Sequence, residues 1–240
     1  MPFTFAHPAA ALPVHALGRG KLPLAALVVG SMMPDLGYFF APMAGFRGDN
    51  HTLLRSFTFC LPWGMLLLAI VTLLEEGWRP LLPAALVPDG PIAAWTPRSL
   101  PWLAAGVVLG AWTHMLWDAW THAGGFFVQR IPALAHELLP GVAVYNLLQH
   151  ASTLLGSAAL AFHLRRRLRG LRRDWRWGFW LAALGVASLA ALARATAVTD
   201  ERPLFVFITV SVHHLVLIAA GAALVLRLGQ LHATRVRDAS

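Results

Sequence analysis

Apolar residues run along this chain in long blocks, and most blocks have the length of a membrane-crossing helix. Residues 53–74, 100–121, 143–164, 178–198 and 204–226 each match the roughly 20 residues that span a hydrocarbon core. Residues 22–42 make a sixth block, interrupted by Pro34. The stretch 8–18 is too short to cross. It reads as a half-membrane helix with Pro8 in its first turn, where a missing N–H costs nothing. The Pro- and Gly-rich stretch 75–99 reads as an irregular connection. The pattern predicts an all-α fold, a polytopic membrane helix bundle of about six transmembrane helices plus the short N-terminal half-helix.

Composition agrees with that pattern. Of 240 residues, 58% are hydrophobic and 12% charged, against about 25% charged in a soluble domain. The formal net charge is +8, and its placement decides what it means. Seven arginines, Arg165, Arg166, Arg167, Arg169, Arg172, Arg173 and Arg176, lie in one short loop between apolar blocks. The positive-inside rule expects such a loop, 165–176, on the cytoplasmic side, where anionic lipid is a further contact. No aromatic or groove-reading motif accompanies the run, so nucleic acid is not expected as a partner; the lipid bilayer is. With that loop inside, the C-terminus is also inside, and the chain is expected in a bacterial inner (cytoplasmic) membrane.

On this topology the intramembrane polar residues converge on the outer side. Asp35 follows the helix-breaking Pro34, and "GDNH" places Asp49, Asn50 and His51 at the mouth of the next segment. In "THMLWDAWTH", His114, Asp118 and His122 recur every fourth residue. His150 lies in the next block, with Asn146 and Thr153 on its helical stripe as candidate supporting donors. Ionisable residues inside a membrane are costly and mark functional sites. His114 and His122 would stand about 12 Å apart on one helix, too far for a single ion. A carboxylate between them suits two ions, which clamp the attacking and leaving oxygens of a phosphoryl centre. The single cysteine, Cys60, excludes a thiolate cluster, so a metal would need N and O ligands. His15, His136, His163 and His232 lack an acidic partner at helical spacing and read as packed or interfacial residues. His213 and His214 are adjacent, so at most one faces a site. Trp112, Trp117 and Trp120 read as an interfacial aromatic belt.

The segments "MPFTFAHPA", "VVGSMMPDLGYF", "HTLLRSF", "THMLWDAWTH" and "LLQHASTLLG" together resemble a family of bacterial membrane proteins, domain-of-unknown-function family 4184, over roughly residues 1–165. More distantly, the chain resembles membrane metal-dependent hydrolases of the LexA-binding type. Behind both stands the superfamily of zinc-dependent phospholipase C and single-strand-specific nucleases, helical phosphoesterases with a trinuclear zinc site. By resemblance the metal ligands are His7, Asp35, His51, His114, Asp118, His122 and His150. Asp35, His51, His114 and Asp118 would hold one zinc, with Asp118 bridging to a second near His7, and His122 and His150 would hold a third. The final Glu of the superfamily pattern is replaced by Leu154, which favours two ions over three.

The expected organisation is a metal-site-bearing membrane domain over 1–165, followed by two further transmembrane helices over 166–240 in the same bundle. The expected function is a membrane-embedded metal-dependent phosphoesterase, phospholipase C-like, acting on a phosphate ester, with a lipid-linked phosphate as the candidate substrate. Zinc is the expected cofactor. Asp35 or Asp49 is the candidate for orienting water, and Arg47 or Arg55 for gripping phosphate. The alternatives are a non-enzymatic metal- or haem-binding membrane protein and a proton-coupled transporter.

Overall fold

The computed structural model describes residues 4–40, 50–172, 174–197 and 203–238. Helices dominate them: α1 (Pro8–Leu17), α2 (Leu24–Met32), α3 (Leu36–Phe40), α4 (Leu53–Leu73), α5 (Glu75–Trp78), α6 (Leu100–Thr121), α7 (Pro132–Ala135), α8 (Val144–Arg169), α9 (Trp175–Ala197) and α10 (Pro203–Asp238). The fold is all-α as expected, with one short pair of strands among the described residues. Glu137–Leu139 and Val142–Ala143 pair antiparallel around Pro140 and Gly141, whose φ of +75° is what a Pro-Gly turn requires.

Among the described residues, four segments are long and apolar enough to cross a membrane: Leu53–Leu73, Leu100–Thr121, Trp175–Arg194 and Val206–Arg237. The chain is thus a membrane-associated helical protein, with four such helices where six were expected. Two blocks account for the difference. Pro34 splits 22–42 into α2 and α3, and neither half is long enough alone. In α8, Asn146, Gln149, His150, Ser152 and Thr153 dilute the apolar character of the segment. Proline acts differently in α4, which continues through Pro62 because Ser56–Cys60 opens into a π-helical turn just before it.

The chain divides into two compact units. The first comprises Met1–Gly37, Arg47–Ala69 and Ala93–Arg165. At its centre α2 lies directly on α6. A side chain at Gly30 would collide with the Val107 carbonyl, and one at Gly110 with that of Leu27, so this approach exists because both positions lack a Cβ. Leu27, Leu103, Val107 and Ala111 are fully buried there.

The second unit comprises Tyr38–Phe46, Ile70–Ile92 and Arg166–Ser240. Here α9 packs on α10, and α5 packs on α10 through Gly77 against Ala223. The stretch after α5 is less irregular than its composition suggests. Buried Glu75 accepts from the Arg79 guanidinium at 2.7 and 2.9 Å and from the Ile92 amide at 3.2 Å. Arg167, early in the arginine run, pairs with Asp89 and donates to the Val87 carbonyl at 2.7 Å.

Candidate metal centre

Four side chains from three separated stretches of the first unit meet at one point: Asp35, His51, His114 and Asp118. Each arrives for a local reason. Pro34 ends α2, so Asp35 leaves the helical path beside the α2–α6 contact. His51 sits just before α4, whose start is capped by Thr52 accepting from the Arg55 amide at 3.2 Å. His114 and Asp118 are one turn apart on the face of α6 that α2 covers.

The ligand atoms are spaced as a coordination shell. His114 Nε2 lies 3.2 Å from Asp118 Oδ2 and 3.3 Å from His51 Nε2. His51 Nε2 lies 3.4 Å from Asp35 Oδ1 and 3.6 Å from Asp118 Oδ2, and His114 Nε2 lies 3.6 Å from Asp35 Oδ1. A tetrahedral ion with bonds near 2.0–2.2 Å holds its ligands about 3.3–3.6 Å apart. These five separations are therefore those of five tetrahedral edges. Most are too long for charge-assisted hydrogen bonds, which run near 2.7–2.9 Å. Asp35 Oδ1 accordingly has no hydrogen-bond partner although it is fully buried.

The remaining atoms of these residues are held from behind. Asp35 Oδ2 accepts a 2.6 Å hydrogen bond from Thr4 Oγ1. His114 Nδ1 lies 2.7 Å from the Ser31 carbonyl, so Nδ1 carries the proton and Nε2 presents its lone pair to the cluster. Such outer contacts fix ligand orientation and tautomer. Thr4 and the Ser31 carbonyl are not legible as site groups in the sequence. Thr4 carries only a weak signal, standing three residues before His7.

A second group gathers on the other oxygen of Asp118. Its Oδ1 lies 3.5 Å from His7 Nε2 and 3.5 Å from His122 Nδ1. Those separations fall within ion-pair range, yet they exceed hydrogen-bond length for either imidazole. Asp118 Oδ1, both nitrogens of His7 and His122 Nε2 are buried without hydrogen-bond partners. His7 is 1% exposed and stacks on His114 with ring centroids 3.8 Å apart. Burial above all holds its pKa down to about 3, and burial also lowers that of His122. Both imidazoles are therefore neutral, the form that binds a cation. His122 does not continue the α6 stripe. The helix ends at Thr121, and His122 is extended with φ −124° and ψ 145°.

The donor set fits a hard or borderline divalent cation. Two buried carboxylates stand among imidazoles, and the unpaired Asp35 Oδ1, Asp118 Oδ1 and His7 nitrogens carry a desolvation cost that such an ion offsets.

A family model described as Domain of unknown function (DUF4184) matches residues 1–231. The chain belongs to the DUF4184 family. No curated protein and no solved structure matches it. The DUF4184 match includes α9 and most of α10, for which the sequence alone carried no recognised motif.

Some of the other expected site residues of this DUF4184 protein lie away from the cluster. His150 is exposed and makes no ion pair or hydrogen bond to the cluster. The orientation of α8 is responsible: Gly156 lies against the Ala6 carbonyl and Trp117, where a Cβ would stand 3.0 and 3.2 Å from them. Gln149 and Gly156 are buried together, which turns His150 about 100° away. Asn146 and Thr153 do not support His150 either. Asn146 Oδ1 accepts from the Ala143 amide at 2.9 Å, and Thr153 Oγ1 donates to the Gln149 carbonyl at 3.0 Å. Asp35 has one oxygen in the ligand cluster and the other held by Thr4. Arg55 is exposed at the start of α4. Asp49 and Arg47 lie outside the described residues. His15 is a packed residue, with Nδ1 2.7 Å from the Leu22 carbonyl. In the second unit His213 Nδ1 lies 2.8 Å from the Phe39 carbonyl, and His214 Nδ1 2.8 Å from that of Val210.

Proposed function

We propose that this protein is a membrane-embedded, zinc-dependent phosphoesterase with a two-ion site. The observation that carries the reading is the tetrahedral spacing of His51, His114, Asp35 and Asp118, together with the unpartnered Oδ1 that Asp118 turns toward His7 and His122. Asp35, His51, His114 and Asp118 would hold one ion; Asp118, His7 and His122 would hold the other. Bound at such a site, zinc neutralises charge on phosphoryl oxygens and lowers the pKa of a water toward 7. Asp118 holds the two halves in register through its two oxygens. Thr4 and Ser31 keep Asp35 and His114 in ligand geometry. Arg47 and Arg55 are the candidates for gripping an incoming phosphate, Arg55 standing four residues after His51 and exposed. The topology we propose has loop 165–176 and the C-terminus in the cytoplasm of a bacterial inner membrane and the site toward the outer face.

The test is elemental analysis of detergent-purified protein, followed by hydrolysis assays on phosphate mono- and diesters before and after chelation. Two zinc ions per chain and chelator-sensitive hydrolysis are expected. Protein that takes up no divalent metal after reconstitution would overturn the reading, and a proton-coupled transporter would then be the better account of the cluster.

A further inference from the structure

Beside the metal-ligand cluster, α6 carries a second stripe. Thr113, Leu116, Trp117, Trp120 and Thr121 follow at i, i+3, i+4, i+7 and i+8 on one face. His114 and Asp118 each stand one residue after a member of this stripe, so within α6 the two faces adjoin. Together with Ala10, Pro13 and Val14 of α1 and Leu148 and Ser152 of α8, the stripe lines a groove of about 550 Å³. That volume lies in the range of small-molecule sites, and the stripe itself runs for about 12 Å.

The polar members of the wall offer nothing to a ligand through their hydroxyl protons. Thr113 donates to the Gly110 carbonyl at 2.7 Å, Thr121 to that of Trp117 at 3.3 Å and Ser152 to that of Gln149 at 3.0 Å. A chain of methylenes suits such a wall; a sugar or a base would lose its hydrogen bonds there. Two residues of the groove wall touch residues of the cluster. The Trp117 ring stands edge-on to His7 with centroids 5.5 Å apart, and Thr121 Oγ1 lies 3.3 Å from His122 Nδ1. Both contacts are on the Asp118 Oδ1 side, where the buried atoms lack partners.

We infer that the groove between α1, α6 and α8 takes the hydrocarbon chain of a long-chain phosphate ester whose phosphate is bound at the adjoining cluster. This rests on the phosphoesterase reading and names its substrate class. An apolar wall beside a cation-binding cluster suits an amphiphile with one anionic end.

The test uses the zinc-loaded full chain in phosphatidylcholine nanodiscs and a long-chain alkyl phosphate bearing a diazirine near its chain terminus. After photolysis, crosslinks mapped by mass spectrometry are expected on Pro13, Val14, Leu116 or Leu148. They are expected to fall at least tenfold in Ala10→Phe and in Leu116→Trp, two independent ways of filling the groove, with zinc content unchanged as the check on folding. Excess unlabelled alkyl phosphate should compete, and the matching alcohol should not. Crosslinks spread over the exposed faces of α9 and α10, insensitive to either substitution, would show bulk-lipid contact and overturn the inference. Equal competition by the alcohol would overturn it too, leaving the metal site intact. Absence of zinc from the wild type would instead remove the reading on which the inference rests.

Discussion

Nε2 of His7 lies 3.5 Å from Oδ1 of Asp118, and neither atom has a hydrogen-bond partner although both are buried. Leaving a buried polar atom unsatisfied costs about 1–3 kcal/mol, and here the two face each other. On the opposite side, Asp118 Oδ2 is 3.2 Å from His114 Nε2. One carboxylate thus belongs to both groups of ligand atoms. Asp118→Ala should therefore strip both ions, whereas His7→Ala should leave one. Elemental analysis of the two variants beside wild type measures this directly. Equal loss in both would mean a single site rather than two halves.

Thr4 is expected to act through Asp35. Removing its hydroxyl with Thr4→Val leaves Asp35 Oδ2 without its 2.6 Å donor, and outer contacts of this kind are worth roughly ten- to a hundredfold in metal affinity. Competition with a coloured chelator should show that loss in Thr4→Val and its recovery in Thr4→Ser. Unchanged affinity in the valine variant would remove Thr4 from the site.

His150 provides the opposite control. It is exposed on α8, so His150→Ala should retain the wild-type metal content. Loss of an ion in that variant would contradict the orientation of α8 described above and favour a third ion held by His122 and His150.

The α2–α6 contact makes a prediction about folding. A methyl group at Gly110 would meet the Leu27 carbonyl and stand 2.8 Å from the Ser31 amide nitrogen, next to the carbonyl that fixes His114. Gly110→Ala should cost about 1–3 kcal/mol, the usual range for overpacking, and should weaken metal binding by shifting that carbonyl. Thermal unfolding in detergent, with and without zinc, reads both effects.

The sequence alone determined that the chain is helical and membrane-associated, because apolar block length is a local property that a bilayer reads directly. It also determined that His114 and Asp118 share a face, since the helical period is local, and that Asp35 leaves its helix, since Pro34 cannot continue one. The family was legible too, from short motifs that follow one another in a fixed order along the chain. What only the tertiary structure decided was which groups meet. The separation of α2 and α6 depends on glycines far apart in the chain, and it brings the Ser31 carbonyl to His114. The orientation of α8 depends on Gly156 reaching Ala6, and that contact, invisible in the helical period of α8, turns His150 outward. Periodicity puts His122 on the α6 stripe, yet the helix ends one residue earlier. Spacing along a helix fixes the angle between its own side chains, but the face it buries is set by close contacts with other segments.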